Sequence, residues 1–144
     1  CLIGTCRGAA GIHLGRFTIP TVGNGCVNNS IVNNTIVEPT MTAIRISNGS
    51  GNSIFNNIAA ELDGGGGIVD ESGGNYIDTV SNLKPTNVLG YFTAFTDDQD
   101  ATNDDFHLVS ARPGVTSYQS KNAPDDDKDG EQRVSPYDIG AYEF

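Results

Sequence analysis

The densest group of reactive side chains in this 144-residue chain is an acidic stretch, Asp125-Asp126-Asp127-Lys128-Asp129-Gly130. Alternate carboxylates in the order D-x-D-x-D-G can surround a hard cation, and the glycine permits the sharp turn that such a loop needs. The EF-hand pattern is incomplete, because its twelfth position holds Pro136. We therefore predict an irregular calcium site with four carboxylates as ligands: Asp125, Asp127, Asp129 and Glu131. The alternative is a metal-free acidic loop in which Arg133 pairs with one carboxylate.

The second candidate site consists of two polar residues, each within an apolar stretch: His13 in Ile12-His13-Leu14 and Arg45 in Ile44-Arg45-Ile46. Such alternation is typical of a half-buried strand whose polar residue faces solvent. An arginine in this position can hold a sugar carboxylate through two hydrogen bonds. We predict that His13 and Arg45 lie side by side on neighbouring strands and contact a glycan. The alternative is that both are ordinary solvent-facing residues.

A repeat positions these candidate residues. Asn29-Ser30-Ile31-Val32-Asn33-Asn34 recurs 23 residues later as Asn52-Ser53-Ile54-Phe55-Asn56-Asn57, and Asn75-Tyr76-Ile77 follows after the same interval. Periods of about 20–50 residues are typical of solenoids, whose repeats bury their apolar faces against one another. Three short strands and three turns need about 20–25 residues, which is one coil of a parallel β-helix. The spacing therefore predicts three to four such coils, or rungs, in residues 1–83.

The asparagine pairs of the repeat have a predicted structural role. Asparagine tolerates the left-handed backbone conformation that a tight turn requires. Identical asparagines on successive coils can also hydrogen-bond to one another in a ladder. Ile12 and Ile44 are 32 residues apart, so the first coil is predicted to carry an insertion of about eight residues, in residues 17–25.

The two ends of the repeat lead to different predictions. After residue 83 the repeat fades, and residues 84–144 are predicted to form a loop-rich C-terminal cap of the same domain. A solenoid needs such a cap, because its last coil would otherwise expose apolar residues. At the other end the coils begin without a capping element. We therefore expect the upstream part of a longer protein, or another chain, to pack on the open N-terminal rung.

Charge and cysteine content limit the classes of partner. The net charge is −10, with most acids in the tail, which argues against nucleic-acid binding because phosphates require clustered Lys and Arg. No stretch approaches 18 apolar residues, so no membrane span is predicted. The three cysteines are Cys1, Cys6 and Cys26. They leave three options: a Cys6–Cys26 or Cys1–Cys26 bridge in a secreted protein, reduced buried thiols, or Cys1 as the lipid-bearing residue of a processed bacterial lipoprotein.

Three tail motifs resemble the C-terminal ends of bacterial right-handed parallel β-helix proteins of the pectate-lyase-like superfamily. They are Asp105-Phe106-His107-Leu108, Asp127-Lys128-Asp129-Gly130-Glu131-Gln132-Arg133 and Asp138-Ile139-Gly140-Ala141-Tyr142-Glu143. The resemblance implies an all-β, right-handed parallel β-helix, an extracellular or cell-surface location and a polysaccharide partner. Ser110-Ala111-Arg112-Pro113-Gly114-Val115 departs from the usual S-P-A-I-D-x-G element of that group.

The resemblance also gives the expected function. We expect the C-terminal part of a secreted or surface β-helix protein that acts on or binds polysaccharide. If the parent protein is an enzyme, an acidic-polysaccharide lyase or a glycoside hydrolase is expected, and no residue here is assigned to catalysis. The alternative function is a non-catalytic surface or adhesive protein whose acidic tail binds calcium. The alternative fold is an antiparallel β-sandwich, in which the Asn-Asn segments would be hairpin turns.

Overall fold

A computed structural model describes residues 10–15, 25–37, 42–60, 67–78, 82, 92–94, 103–109, 123–135 and 137–142. Within these ranges the regular structure is all β, and no helix is long and apolar enough to cross a membrane. The strands are β1 Ile12–Leu14, β2 Cys26–Val27, β3 Ser30–Val32, β4 Thr35–Val37, β5 Ile44–Ile46, β6 Gly49–Ser50, β7 Ser53–Phe55, β8 Ile58–Ala60, β9 Ile68–Asp70, β10 Tyr76–Ile77, β11 Phe92–Ala94 and β12 Asp105–Leu108.

Equivalent strands of successive repeat copies pair in parallel. They form four sheets, ordered β1-β5-β9, β2-β6, β3-β7-β10 and β4-β8. Ser30 pairs with Ser53 and Ser53 with Tyr76, so this register equals the 23-residue repeat. The Asn-Asn segments connect strands of different sheets and are not hairpin turns. The antiparallel sandwich is therefore wrong for these strands. Among the strands that the structure describes, only β11 and β12 pair with each other in the antiparallel direction.

Each complete copy contains four short strands, one more than the predicted three. The additional pair is β2 with β6, in which Cys26 lies opposite Gly49. The same pairing locates the insertion of the first copy. Leu14 and Cys26 are 12 positions apart, whereas their partners Ile46 and Gly49 are 3 apart, so nine extra residues lie between β1 and β2. This agrees with the predicted insertion in residues 17–25.

A column of aliphatic side chains forms the core. Ile44, Ile46 and Ile54 of the second copy are fully buried, and Ile31 and Ile36 of the first copy are nearly so. β-branched residues suit this position because they pack well on the pleated surface of a strand. The side chains of the two outer copies that border this cluster are half-buried: Ile12, Leu14, Ile68 and Ile77. The second copy is therefore the centre of the described core.

The asparagines have the predicted turn conformation. Asn28, Asn33 and Asn56 have φ values of 55°, 52° and 57°, in the left-handed region that asparagine tolerates better than other residues with a Cβ. The next asparagine of each pair, Asn34 or Asn57, directs its side chain along the stack instead. One residue therefore makes the bend and its neighbour connects the copies.

Two asparagine ladders join the copies, as the repeat predicts. In the first, Asn29 donates from its backbone N–H and from Nδ2 to Asn52 Oδ1, at 2.9 Å each. Asn52 donates in the same way to Asn75 Oδ1, at 3.1 and 2.8 Å. The second ladder, Asn34–Asn57–Asn82, repeats this geometry at 2.9–3.1 Å. Since Asn82 belongs to this ladder, the stacking contacts continue to the end of the third copy.

The closing segment, described over residues 137–142, packs against the repeat copies. Asn33 Nδ2 donates to Asp138 O at 2.9 Å, and Gly140 N donates to Asn56 O at 3.0 Å. Gly140 has a φ of 99°, and a Cβ there would come within 2.7 Å of Ile58 Cδ1. This segment therefore contacts the turns of the first and second copies. The predicted cover over the last coil falls mostly outside the described residues and stays a prediction.

Replacing a central ladder residue should destabilise the fold strongly. Asn57 is fully buried, donates to Ile31 O and Phe55 O at 3.0 Å each, and accepts two hydrogen bonds from Asn34. Asn57→Ala leaves several of these buried groups unsatisfied, so we expect a loss of about 2–4 kcal/mol in the free energy of unfolding, measured by urea denaturation. Asn29→Ala is the control, because Asn29 is exposed, and it should cost less than about 1 kcal/mol. Equal losses would contradict this account.

Candidate functional site

The outer face of the sheet β1-β5-β9 brings the two predicted glycan contacts together. His13 lies opposite Arg45 in the pairing of β1 with β5, and Arg45 lies opposite Val69 in the pairing of β5 with β9. The flanking isoleucines of β5 are fully buried, whereas Arg45 is only half-buried. The predicted proximity of His13 and Arg45 is therefore confirmed, and both residues lie on the side of the strand away from the core.

Glu71 holds the guanidinium of Arg45. Arg45 Nη2 lies 2.8 Å from Glu71 Oε1, and Arg45 Nε lies 3.2 Å from Glu71 Oε2, which is a two-point ion pair. Both side chains remain accessible, at 32% and 43% exposure, so the pair adds at most about 1 kcal/mol to stability. Its main consequence is chemical: the carboxylate of Glu71 compensates the positive charge of the Arg45 guanidinium.

Ser47 forms the other contact on this face. His13 Nε2 and Ser47 Oγ are 2.6 Å apart. Partial burial lowers the pKa of His13, the charge of Arg45 lowers it further, and Glu71 opposes both effects. His13 is therefore neutral near pH 7, and its ring can either donate to the hydroxyl or accept from it. Gly15 makes space for this contact, since its φ is 129° and a Cβ there would overlap the Ser47 hydroxyl.

Ser47 and Glu71 were not among the predicted site residues, although the repeat contains a signal for them. Ser47 follows Arg45 by two positions, and Glu71 follows Val69 by two positions. The equivalent residue of the first copy is Gly15, two positions after His13. Residues two apart on a strand share a face. Backbone hydrogen bonds from Ser47 N to Leu14 O and from Glu71 N to Ile46 O extend the ladder to these positions. Extending the strand alignment by two residues would have found both. We refer to His13, Arg45, Ser47 and Glu71 as the outer polar face.

The predicted calcium residues belong to a tight hairpin. Asp126 forms an antiparallel bridge with Gln132, and Asp127 N donates to Glu131 O at 2.8 Å. Asp127 Oδ1 accepts hydrogen bonds from the backbone N–H groups of Asp129 and Glu131, at 2.8 and 2.9 Å. This carboxylate therefore stabilises the turn itself. Arg133 is buried, and its guanidinium donates to the carbonyl oxygens of Asp138 and Gly140, which attaches the hairpin to the closing segment.

Asp129 belongs to a second polar cluster, centred on His107. His107 Nδ1 lies 2.5 Å from Asp105 Oδ1, and His107 Nε2 lies 3.0 Å from Asp129 Oδ2. The His107 ring packs on Tyr142 with centroids 4.2 Å apart, and Lys128 Nζ lies 3.2 Å from Asp129 Oδ1. The hydrogen bond to Asp105 raises the pKa of His107, Asp129 adds to this effect, and partial burial opposes it.

The carboxylates of the hairpin do not converge in the described structure. Asp127 is used by backbone N–H groups, Asp129 by His107 and Lys128, and Asp125 accepts from Arg133 N through its carbonyl oxygen. Across the described ranges, no three His, Cys, Asp or Glu residues come close enough to hold a metal ion. Calcium binding by Asp125, Asp127, Asp129 and Glu131 therefore stays a prediction, and it would require Asp129 to leave its present partners.

The cysteine prediction is only partly covered by the described residues. Cys26 begins β2 and is a half-buried free thiol. Cys1 and Cys6 lie outside the described ranges.

Comparison of the chain with protein-family models, with curated proteins and with solved structures finds no match.

The His107 cluster leads to a prediction about pH. Because the pKa of His107 is raised above 6.5 and that of Asp105 is lowered below 3.8, their interaction contributes fully to stability between these values. It is lost as the pH rises through the raised pKa of His107 or falls through the lowered pKa of Asp105. An NMR titration of the His107 ring should give a midpoint above 6.5. Asp105→Asn should lower this midpoint more than the control Asp104→Asn does. A midpoint at or below the ordinary value would refute the assignment.

Calcium binding can be checked by thermal unfolding. If the hairpin holds the ion, saturating calcium should raise the unfolding midpoint by several degrees over the same protein in chelator, because the ion binds only the folded form. Asp127→Asn and Asp129→Asn should both reduce this difference, whereas Asp70→Asn, in β9, should leave it intact. Identical midpoints with calcium and with chelator would contradict the site.

Proposed function

We propose that this chain is part of a right-handed parallel β-helix in a secreted or cell-surface protein. The support is that the strands of four parallel sheets recur at nearly one interval. Partners are 23 residues apart in three sheets and 24 apart between β5 and β9, and the 32 between β1 and β5 include the insertion of the first copy. A chain that returns once per copy to each of four sheets, each time as a parallel neighbour of the preceding strand, follows a coil. Connections between parallel strands of one sheet are right-handed in about 98% of cases. The location follows from the resemblance of the tail motifs.

We further propose that the outer polar face binds polysaccharide. The observation that carries this proposal is that the four polar side chains form two hydrogen-bonded pairs, His13–Ser47 and Arg45–Glu71, on one accessible surface. Such pairs present fixed donors and acceptors side by side, which suits the neighbouring hydroxyl groups of a sugar. Each pair is already oriented, so less side-chain entropy is lost when a ligand binds.

The charge of this face favours hydroxyl groups over a uronate carboxylate. Glu71 compensates Arg45, and a carboxylate ligand would have to compete with Glu71 for the guanidinium. The net charge of −10 also repels a polyanion. A lyase reaction needs a base and an available positive charge beside the substrate carboxylate. The geometry therefore supports polysaccharide binding more strongly than lyase chemistry, and hydrolase and lyase activities remain to be tested.

A non-catalytic surface or adhesive role is the second candidate function. The observation that favours it is the pair of continuous asparagine ladders, together with a closing segment that contacts two successive copies. These contacts connect the copies along the stack and make a stiff spacer. A stiff spacer can also bind a surface glycan. The enzyme and the non-catalytic surface protein therefore differ mainly in whether a reaction follows binding.

Polysaccharide binding is tested by affinity electrophoresis against a panel of neutral and uronate polysaccharides. Arg45→Ala and His13→Ala should each weaken binding to a retained polysaccharide by about tenfold, because each removes hydrogen bonds to the ligand. Lys128→Ala and His107→Ala are matched controls, since they remove the same kinds of side chain from the tail, and should bind as the wild type does. Failure of every polysaccharide to retard the wild-type protein would refute the proposal.

The same panel tests for the enzyme. A lyase produces an unsaturated sugar whose absorbance rises with time, and a hydrolase produces new reducing ends. If both signals stay flat on a polysaccharide that the protein binds, this chain on its own is a binding module.

A further inference from the structure

The asparagine ladders have a direction. In both, an asparagine of one copy donates its backbone N–H and its Nδ2 group to the Oδ1 atom of the asparagine in the next copy. Each step therefore uses donors on the N-terminal side and an acceptor on the C-terminal side. A stack with this polarity leaves acceptors at its first copy and donors at its last copy.

The acceptors of the first copy are open in the described structure. Asn29 and Asn34 use their N–H and Nδ2 groups as donors, and none of the described residues donates to Oδ1 of either. Asn29 is exposed, whereas its counterpart Asn52 is fully buried. Within the part of the chain that the structure describes, β3 pairs only with β7 and so forms the edge of its sheet. The backbone groups along its other side therefore face the same direction as the two open acceptors.

The side-chain amide donors of the last copy are satisfied within the chain. Asn75 Nδ2 donates to both carboxylate oxygens of Asp70, at 3.1 and 3.0 Å. Asn82 Nδ2 donates to Ile54 O and Asp78 O at 2.9 and 2.6 Å. The two ends of the stack thus differ, with local groups closing the last copy and open acceptors at the first.

We propose that the edge formed by β3, Asn29 and Asn34 is a docking surface for one further coil of the same repeat, paired in parallel with β3. This inference rests on the proposed β-helix. The hydrogen-bonding groups of the edge determine the occupant. The two open acceptors, Asn29 and Asn34, are 5 residues apart, so the occupant must be a parallel strand whose flanking turns present N–H and amide donors at the same interval. A coil of this repeat has that interval, as Asn52 and Asn57 show. The last copy of a second chain fits less well, because Asp70 already holds the Asn75 side chain.

The test uses the full chain and a fluorescent peptide with the sequence of residues 48–60, which carries one copy of both ladder asparagines. We expect saturable binding by fluorescence anisotropy, with slowed hydrogen exchange at the backbone amides of Ser30–Val32. The double variant Asn29→Ala, Asn34→Ala should bind about tenfold more weakly, since it lacks both acceptors. Asn75→Ala is the matched control. It removes a ladder asparagine from the closed end and should bind as the wild type does.

Several results would overturn the proposal. These are no saturable binding to a wild-type chain whose circular dichroism shows a folded β protein, equal binding by the double variant, or protection at Tyr76–Ile77 instead of at β3. Self-association of the chain in sedimentation velocity that the peptide abolishes would place a second copy on this edge and overturn the choice of occupant. Polysaccharide binding, measured on the same variants, depends on His13 and Arg45, so it separates failure of this edge from failure of the proposed function.

Discussion

The rest of this structure depends on one constraint: the backbone N–H and C=O groups of the turns must find hydrogen-bond partners. A repeat copy whose strands are only two or three residues long has about as many residues in turns as in strands, and turn groups left unpaired inside the fold would cost free energy. Asn52 and Asn57 solve this problem because each fully buried side chain accepts from the backbone of one copy and donates to carbonyl oxygens nearby. The 23-residue spacing is thus enforced by hydrogen bonds as well as by packing.

The same register builds the outer polar face. Once Ile12, Ile44 and Ile68 are aligned in the core, the intervening positions must point outward and stand in line. Ser47 and Glu71 then come beside His13 and Arg45 without any loop to position them. The backbone positions of this face are fixed by the strand pairing, because displacing one of them along the sheet would shift the register.

Much of the repeat could be predicted from sequence, because its signals are local and recur. The alternation in Ile12-His13-Leu14 and the interval between Asn29 and Asn52 gave the strand pairing, the ladders and the insertion. The fourth strand pair was missed, since Cys26-Val27 and Gly49-Ser50 share no side-chain type. Glu71 was missed for a different reason: it follows the last residue of the alternating strand pattern, Asp70, and the ion pair appears only when the strand alignment is extended beyond that pattern. The hairpin carboxylates have the spacing of a calcium loop, but spacing cannot show whether backbone N–H groups and His107 will occupy them first.

The closing segment has a consequence for the order in which the protein folds. Asn33 hydrogen-bonds to the carbonyl oxygens of Asp138 and Gly140, which follow it by 105 and 107 residues. Contacts between successive copies span 23 to 32 residues and can form as soon as the next copy has been synthesised. Contacts across more than a hundred residues form later, because closing a long loop costs more entropy. The side of the first copy therefore stays open during synthesis until Asp138 and Gly140 have been made, and only then can its turn be completed.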